Sequence, residues 1–463
     1  MTTTASQYAP AGSGNPPSRE RQGLLAFLAV ASAACLNAVN GTLIVTAFPT
    51  LAASFDLPYA HISALVMYFL AATAASQPIA GALGDLLGRK NVFLAGIVGF
   101  CVVSTAAGFS SSYGELIFWR VGQAIFTGTI TANAATLIYR IAPEAKIATY
   151  LGFLSSAILG TSALAFPLGG LLIHNFEWHL LFWCSVPVGV VSLVLVLLFV
   201  PPDRTRSREF SALSLMGLPF IPFAASLQCL IEGRPVTLPV VAFVVTTLVT
   251  GLAILRSPGS MQQFSRINNA TFNLGSLVAL FAAGITFGLM FMLPVWAPAT
   301  LGMNTAELGT YLAFYTFSMM LASPLSGRHI DLHGDTRSRL VAQLFIVIGM
   351  SLLLLPLVRS TFVAAMLLVG ASSAICQIIA QRATLLAAPQ EVQALAMGIF
   401  NTYRSVGCIL GNAIPAIIYT LVPHSADAGD HTVIWWLTGT YALPLCFILL
   451  WMGRHAARQQ VRV

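Results

Sequence analysis

The sequence predicts an all-α polytopic membrane protein with fourteen transmembrane helices, and three observations lead to this fold class. Hydrophobic residues make up 57% of the 463 residues and charged residues only 8%, against about 25% charged residues in an average soluble domain. Apolar stretches of about 20 residues, the length of a helix that crosses a bilayer, recur between Gly23 and Met452 with short interruptions. Basic residues fall on alternate connections between these stretches.

The apolar stretches also predict how the chain is organised. Residues 1–22 are rich in Thr, Ser, Pro and Gly, and we expect them to form a disordered cytosolic tail. The fourteen spans are expected at about 23–50, 61–83, 91–112, 114–139, 147–173, 180–201, 211–232, 236–256, 274–297, 306–327, 339–358, 362–388, 394–422 and 433–453. The expected units are a six-helix bundle at 23–201, two extra spans with their loops at 202–273, a second six-helix bundle at 274–453 and a cytosolic tail at 454–463.

The distribution of Lys and Arg predicts the orientation in the membrane. If the N-terminus lies inside, the predicted outer loops contain only Arg234 and Arg359, and the arginines within spans are Arg120, Arg382 and Arg404. All other basic residues then lie on the inner side, as the positive-inside rule expects for cytoplasmic connections. We therefore expect both termini in the cytoplasm and the protein in the cell inner membrane. The net charge of +7 follows from this topology and does not indicate a nucleic-acid partner.

Nothing in the sequence indicates catalysis or a bound cofactor. His174 and His179 flank Glu177 in a predicted outer loop, a pattern more typical of a membrane edge than of a metal site. The sequence has no phosphate-binding Gly-Lys-Ser/Thr loop, and no repeated ring of charged residues such as a channel would need. We therefore expect no enzyme activity, no cofactor and no metal.

Two segments of the chain echo each other in the two predicted bundles. GALGDLLGRK at 81–90 follows the second span and GRHIDLHGDT at 327–336 follows the tenth, and in both a Gly stands three residues after an Asp. Internal repeats are common in transporters. Because a carboxylate stabilises the N-terminus of a helix, we expect Asp85 to contact a helix of the other half, with Asp331 as its mirror.

Several groups of residues, in the same order along the chain, resemble motifs of the major facilitator superfamily, and more narrowly of its fourteen-span drug:proton antiporter branch. They are Gly81, Asp85, Gly88, Arg89 and Lys90 after the second span; Arg120 and Gln123 in the fourth; Pro167, Gly169 and Gly170 in the fifth, followed by WHLLFWCSVPVG from Trp178; and Asn401, Arg404, Gly407 and Gly411 in the thirteenth. The resemblance covers essentially the whole hydrophobic chain.

This resemblance implies a major facilitator fold of two six-helix bundles plus two extra central helices, which pack at the periphery. It also implies a secondary active transporter that exports drugs or metabolites by alternating access. Small residues in the fifth span would let the helices of the two halves pack closely. The candidate gating and conformational residues are Asp85, Gly88, Arg89, Asp331, Pro167, Gly169 and Gly170.

The predicted spans contain no deeply placed Asp or Glu, the residues that usually relay protons inside a membrane. In the resembled branch the first span carries an Asp where this sequence has Asn40. Asn37 lies one turn earlier on the same face, so the two amides either line a cavity or pack between helices. Arg404 lies roughly 15 Å into its span. The candidate cavity residues are Asn37, Asn40, Arg120, Gln123, Asn401 and Arg404.

Two hypotheses about function follow. In the first, the protein exports small amphipathic molecules in exchange for protons, with Glu115 or Glu307 near the outer helix ends, or Asp85, as the proton site. In the second, it carries anionic or zwitterionic metabolites, to which Arg120 and Arg404 donate charge-assisted hydrogen bonds. Both require a small-molecule substrate and membrane lipid as partners, and the first also requires protons.

Overall fold

The computed structural model describes residues 16–57, 62, 64–203, 212–231, 234–301, 305–354, 359–421 and 438–460. These residues form helices joined by short turns, and no strand occurs among them. The all-helical fold class predicted from the composition is therefore confirmed.

The first half of the chain contains the helices that correspond to the first six predicted spans. They are α1 (Pro16–Thr46), α2 (Phe48–Phe55), α3 (Ala64–Leu87), α4 (Arg89–Ala107), α5 (Tyr113–Ile141), α6 (Ile147–Asn175), α7 (Leu180–Trp183) and α8 (Ser185–Phe199). Helices α1 and α2 together cover the first span, and α7 and α8 together cover the sixth.

The second half follows a connecting region of two longer helices and one short helix. The connecting helices are α9 (Phe220–Ile231), α10 (Thr237–Arg256) and α11 (Pro258–Ile267), and a 3-10 helix at Ala212–Gly217 precedes them. The helices of the second half are α12 (Ala270–Leu301), α13 (Thr305–His333), α14 (Asp335–Leu354), α15 (Arg359–Ala387), α16 (Gln393–Leu421) and α17 (Leu443–Gln460).

Length and composition identify the helices that could cross a membrane. Within the described part of the chain, 10 helical segments are long and apolar enough to do so. Each predicted span overlaps a helical segment, but α5, α13, α16 and α17 are not among the ten. The count of fourteen spans therefore stays a prediction.

The structure differs from the predicted disordered tail at residues 16–22. Helix α1 begins at Pro16, so residues 16–22, which the composition predicts to be disordered, are helical. Pro is favoured at the start of a helix, because the N–H that it lacks would have no partner there. At the other end α17 continues to Gln460, because the Arg, Ala and Gln residues there are good helix formers, and the cytosolic tail at 454–463 stays a prediction.

Two helix pairs form the most extensive contacts between the halves in the described chain. Helix α3 packs along α16, and α6 packs along α13. A Cβ atom on Gly398 would lie 2.5 Å from the carbonyl oxygen of Gln77, and one on Gly152 would lie 2.9 Å from the Cα of Pro324. Glycine is therefore required where these helices approach most closely.

The connecting helices α9 and α10 lie at the periphery of the bundle. Helix α9 packs on α3, and only 6% of the apolar stretch of α10 is buried.

Within the second half, α12 packs against α16 through two glycines of α16. A Cβ atom on Gly407 would lie 2.9 Å from the carbonyl carbon of Leu280, and one on Gly411 would lie 2.6 Å from the carbonyl oxygen of Gly284. Backbone atoms cannot rotate away as a flexible side chain can. The spacing of α12 and α16 therefore depends on the absence of side chains at these positions.

We predict that Gly407→Ala lowers the thermal unfolding temperature of the purified protein, because overpacking of a tight interface costs about 1–3 kcal/mol. The matched control is Gly251→Ala in α10, where an added Cβ would meet nothing within 4 Å. Differential scanning fluorimetry in detergent measures both. Equal unfolding temperatures for the two variants would contradict the packing described here.

Candidate functional site

Asp85, near the end of α3, contacts the N-terminus of α16 in the other half. Its carboxylate oxygens accept hydrogen bonds from the backbone N–H groups of Ala394 at 3.3 Å and Leu395 at 2.9 Å. Arg89 donates to the same carboxylate from Nε at 3.2 Å and Nη2 at 3.0 Å, and also donates to the Gln390 carbonyl. Asp85 and Arg89 are both buried. The free N–H groups and the dipole of a helix N-terminus favour a carboxylate at this place.

Asp331, near the end of α13, makes the mirror contact with the N-terminus of α6. It accepts hydrogen bonds from the N–H groups of Ala148 at 3.2 Å and Thr149 at 2.7 Å. The Thr149 hydroxyl also donates to it at 2.7 Å. The two echoing sequence segments therefore hold the two halves together at one end of the bundle, each from its own half.

Glycines at equivalent places in the two segments permit these contacts. Gly88 follows α3 with a φ of 100°, and Gly334 follows α13 with a φ of 77°, in a region that L side chains rarely adopt. One turn before each aspartate stand Gly81 and Gly327. A Cβ atom on either would lie 2.7 Å from a backbone carbonyl carbon of the facing helix.

Two further ion pairs brace the same end of the bundle. Asp203, just after α8, accepts a hydrogen bond from the Lys90 N–H at 2.8 Å and pairs with Arg140 at the end of α5. Asp335 accepts a hydrogen bond from Arg382 of α15 at 2.7 Å, entirely within the second half. We call the end of the bundle that carries these contacts of Asp85, Asp331, Asp203 and Asp335 the basic end, because Arg89, Lys90, Arg140 and Arg382 lie there with them.

A cavity of about 420 Å³ lies between the two halves. Helices α1, α3, α5 and α6 line it from the first half, and α12, α13, α15 and α16 line it from the second. Most of its lining is apolar, with Leu70, Ile158 and Met319 as examples. Arg120 and Arg404 are the charged residues of the lining, and no Asp or Glu contributes to it within the described ranges.

Arg120 of α5 is 1% exposed and forms the centre of a polar cluster at the cavity wall. Its Nη1 donates to Asn40 Oδ1 of α1, and to Gln123 Oε1 at 3.0 Å. The Nε2 of Gln123 donates to the Ser104 hydroxyl at 2.8 Å, which orients the amide. The guanidinium carbon lies 4.4 Å from the centre of the Phe69 ring. Nε and Nη2 have no hydrogen-bond partner among the described residues.

The structure separates the predicted cavity residues into two groups. Asn40 and Gln123 lie behind the cavity wall and bind Arg120. The others line the cavity itself: Asn37, Arg120, Asn401 and Arg404. Their roles in binding stay predictions.

Of the two outer carboxylates predicted as proton sites, Glu115 has a described side chain, and it makes contacts away from this cluster. Glu115 accepts hydrogen bonds from the Ser111 N–H at 3.0 Å and the Trp119 indole N–H at 3.3 Å, and its own N–H bonds the Ser112 hydroxyl at 3.3 Å. It therefore caps the start of α5 and does not line the cavity. Glu307 lies in α13, and its side chain lies outside the described residues. The surroundings of three α6 residues are also outside the description: Pro167, Gly169 and Gly170.

Three cavity residues escaped the sequence analysis. Phe69 gives no signal, because a Phe in an apolar span usually packs in the core or against lipid. Gln377 and Gln381 line the cavity from α15 and are four residues apart. Two amides at that spacing share one face of a helix, so this pattern could have identified them.

Apolar helices of membrane-spanning length, arranged in two halves around a cavity and joined at one end by paired contacts, define a membrane carrier. Sequence comparison supports this class, since residues 30–412 match the Major Facilitator Superfamily. The chain belongs to that family. It is an integral membrane transporter and not an enzyme.

Similar proteins include exporters. The chain is 25% identical over 407 residues to the tetracenomycin C resistance and export protein of Streptomyces glaucescens, covering 85% of this chain and 75% of the relative. It is 26% identical over 341 residues to the multidrug export protein EmrB of Escherichia coli (strain K12), covering 72% and 66%. The solved proton:xylose symporter XylE superposes with a TM-score of 0.68 at 15% identity, covering 94% of this chain and 96% of that one. At that identity the likeness concerns the fold alone.

We predict that Asp85→Asn or Asp331→Asn increases the separation of the two halves at the basic end. Each loses a carboxylate at a helix N-terminus, worth about 1–2 kcal/mol when partly buried, so the open population rises about five- to thirtyfold. Double electron–electron resonance measures the distance between spin labels attached at positions 145 and 337. Ala145 and Arg337 are exposed and lie in opposite halves.

The matched control for both variants is Asp335→Asn. It removes a carboxylate at the same end that bonds only Arg382 of its own half. The control should leave the distance unchanged. The gating assignment fails if Asp335→Asn opens the basic end as far as Asp85→Asn does.

Proposed function

We propose that this protein is a secondary active transporter that exports small amphipathic molecules by alternating access. The observation that carries the proposal is the cavity between the two halves, together with the paired carboxylate contacts that join the halves at one end. In alternating access the contacts at one end must break when the cavity opens there.

The orientation in the proposal follows from the positive-inside rule. The basic end faces the cytoplasm, both termini are cytoplasmic and the membrane is the cell inner membrane. The six-two-six organisation at 23–201, 202–273 and 274–453, typical of the fourteen-span drug:proton antiporter branch, belongs to the same proposal. With the basic end closed, the structure then represents a state in which the cytoplasmic route to the cavity is shut.

The names of relatives support export as the direction. Two of the similar proteins are named for the export of tetracenomycin C and for multidrug export. A mostly apolar cavity that also contains Arg and amide side chains suits molecules with one apolar and one polar part.

Transport of small probes tests the proposal directly. We predict that proteoliposomes with a pH gradient move at least one of three matched probes, 1-pyrenebutyric acid, its primary amide and 1-pyrenebutylamine, faster than protein-free liposomes do. The physical reason is that alternating access lets the gradient drive substrate movement through the cavity. No transport of any of the three, with a pH gradient, a sodium gradient or no gradient, would overturn the proposal.

We further propose proton exchange as the driving reaction, with Asp85 as the acid that links protonation to opening. Asp85 is buried between the halves, and its bonds to Ala394 and Leu395 hold the basic end closed. Protonation would remove the charge that favours this contact. Glu115, in contrast, is engaged in capping α5.

We predict that Asp85→Asn still allows a transported probe to exchange down its own gradient but loses probe-evoked proton movement, since Asn cannot titrate. Glu115→Gln should retain both, because its bonds to Ser111 and Trp119 do not reach the cavity. A pH-sensitive dye enclosed in the proteoliposomes reports the proton movement. Loss of that movement in Glu115→Gln, with Asp85→Asn unaffected, would move the coupling site to the outer end of α5.

A further inference from the structure

The guanidinium of Arg120 is an incompletely paired charge in the middle of the transporter. The described residues offer it two amide oxygens, from Asn40 and Gln123, and both bind the same nitrogen, Nη1. The ring of Phe69 covers one face of the group. A buried charge without a counter-charge costs several kcal/mol. The described lining of the cavity supplies no carboxylate that could offset this cost.

The two nitrogens without partners, Nε and Nη2, are next to each other on one edge of the guanidinium. Their N–H bonds are parallel and match the two oxygens of a carboxylate, which binds such an edge through two hydrogen bonds. Asn40 and Gln123 thus fix the group through Nη1, and the buried Nε and Nη2 have no hydrogen-bond partner among the described residues. A single hydroxyl or carbonyl oxygen would satisfy only one of the two N–H groups.

A second positive charge faces the same cavity from the other half. Arg404 of α16 lines the cavity and is half-buried, and Asn401 one turn before it also lines the wall. The cavity therefore has two positive charges, one from each half, and no negative charge within the described lining. Such a site attracts anions and repels cations.

We propose that the cavity binds amphipathic carboxylates, with the substrate carboxylate held by Nε and Nη2 of Arg120. Arg404 adds a second attraction from the opposite half, and the apolar wall around Leu70, Ile158 and Met319 contacts the rest of the molecule. The proposal rests on the export function proposed above, and it specifies the substrate class of the same cavity.

Asn40 offers a test that changes charge while it keeps shape. Its Oδ1 already accepts a hydrogen bond from Arg120, so Asn40→Asp would place a carboxylate beside the guanidinium with almost no change in volume. The internal carboxylate would then neutralise the charge that the substrate is proposed to meet. A reversal of preference in this variant cannot be attributed to a cavity of altered size.

The experiment measures equilibrium binding of the three pyrene probes to the purified protein in detergent, by fluorescence anisotropy. For the wild type we expect the acid to bind at least tenfold more tightly than the amide, with the amine weakest. Arg120→Gln should remove the advantage of the acid and leave the affinity for the amide within about twofold. Asn40→Asp should also remove it and should raise the affinity for the amine.

The control is Arg382→Gln. Arg382 is another arginine within a predicted span, but it bonds Asp335 and does not line the cavity, so its loss should leave the preference for the acid unchanged. Affinity for the uncharged amide reports in every variant whether the cavity is intact. If Arg120→Gln fails to bind even the amide, loss of the preference for the acid in Asn40→Asp tests the proposal instead, provided that this variant still binds the amide.

The inference is overturned if the wild type binds acid and amide equally, or if the preference for the acid survives in Asn40→Asp. Binding in detergent does not depend on transport, so the two proposals can fail separately. Transport of all three probes without preference for the acid would retain the export function and exclude the carboxylate site. Selective binding of the acid without transport of any probe would retain the site and exclude the export function.

Discussion

The contact between a carboxylate and the N-terminus of a helix in the opposite half is the interaction on which the rest of this structure depends. Asp85 of α3 binds the N-terminus of α16, and Asp331 of α13 binds that of α6, so both fix the most extensive inter-half helix pairs of the described chain at the same end. These hydrogen bonds bring the facing helices close together. A side chain one turn before either aspartate would collide with the facing backbone, so glycine stands there, as Gly81 and Gly327. All four of these helices also line the cavity between the halves.

Charge is distributed by depth in this protein. At the basic end the carboxylates are matched by helix N-termini or by arginines, as for Asp203 with Arg140 and Asp335 with Arg382. At the cavity the relation is reversed, since Arg120 has amide partners only and two of its nitrogens have none in the described structure. In a medium of low dielectric constant, the energetic cost of a charge depends mainly on whether it has a partner, because water does not screen an unpaired ion there. The described carboxylates at the basic end are thus paired, whereas the Arg120 guanidinium at the cavity is only partly paired.

The sequence predicted features that have a local signature and missed those that do not. The Gly, Asp and Gly spacing appears twice, so Asp85 and Asp331 could be expected to make equivalent contacts with the other half. The hydrophobic runs likewise gave the helices, although not their ends: residues 16–22 are helical because polarity alone does not prevent a helix. In contrast, the partners Lys90 and Asp203 are more than 100 residues apart and carry no shared pattern. The contact of Phe69 with Arg120 depends on the crossing of α3 and α5, which hydropathy does not encode.

The strength of the closing contacts is comparable to what a substrate can supply. Two carboxylate contacts with helix N-termini contribute about 2–4 kcal/mol together if each is partly buried. A charge-assisted pair of hydrogen bonds contributes about 1.5–3 kcal/mol per bond. A ligand shifts a conformational equilibrium only by the difference in its affinity for the two states. A carboxylate held by Arg120 more tightly in one state than in the other could therefore outweigh the contacts at the basic end. The carboxylate contacts of α3 with α16 and of α6 with α13 are therefore of a size that substrate binding can offset, which is a condition for substrate and gate to influence each other.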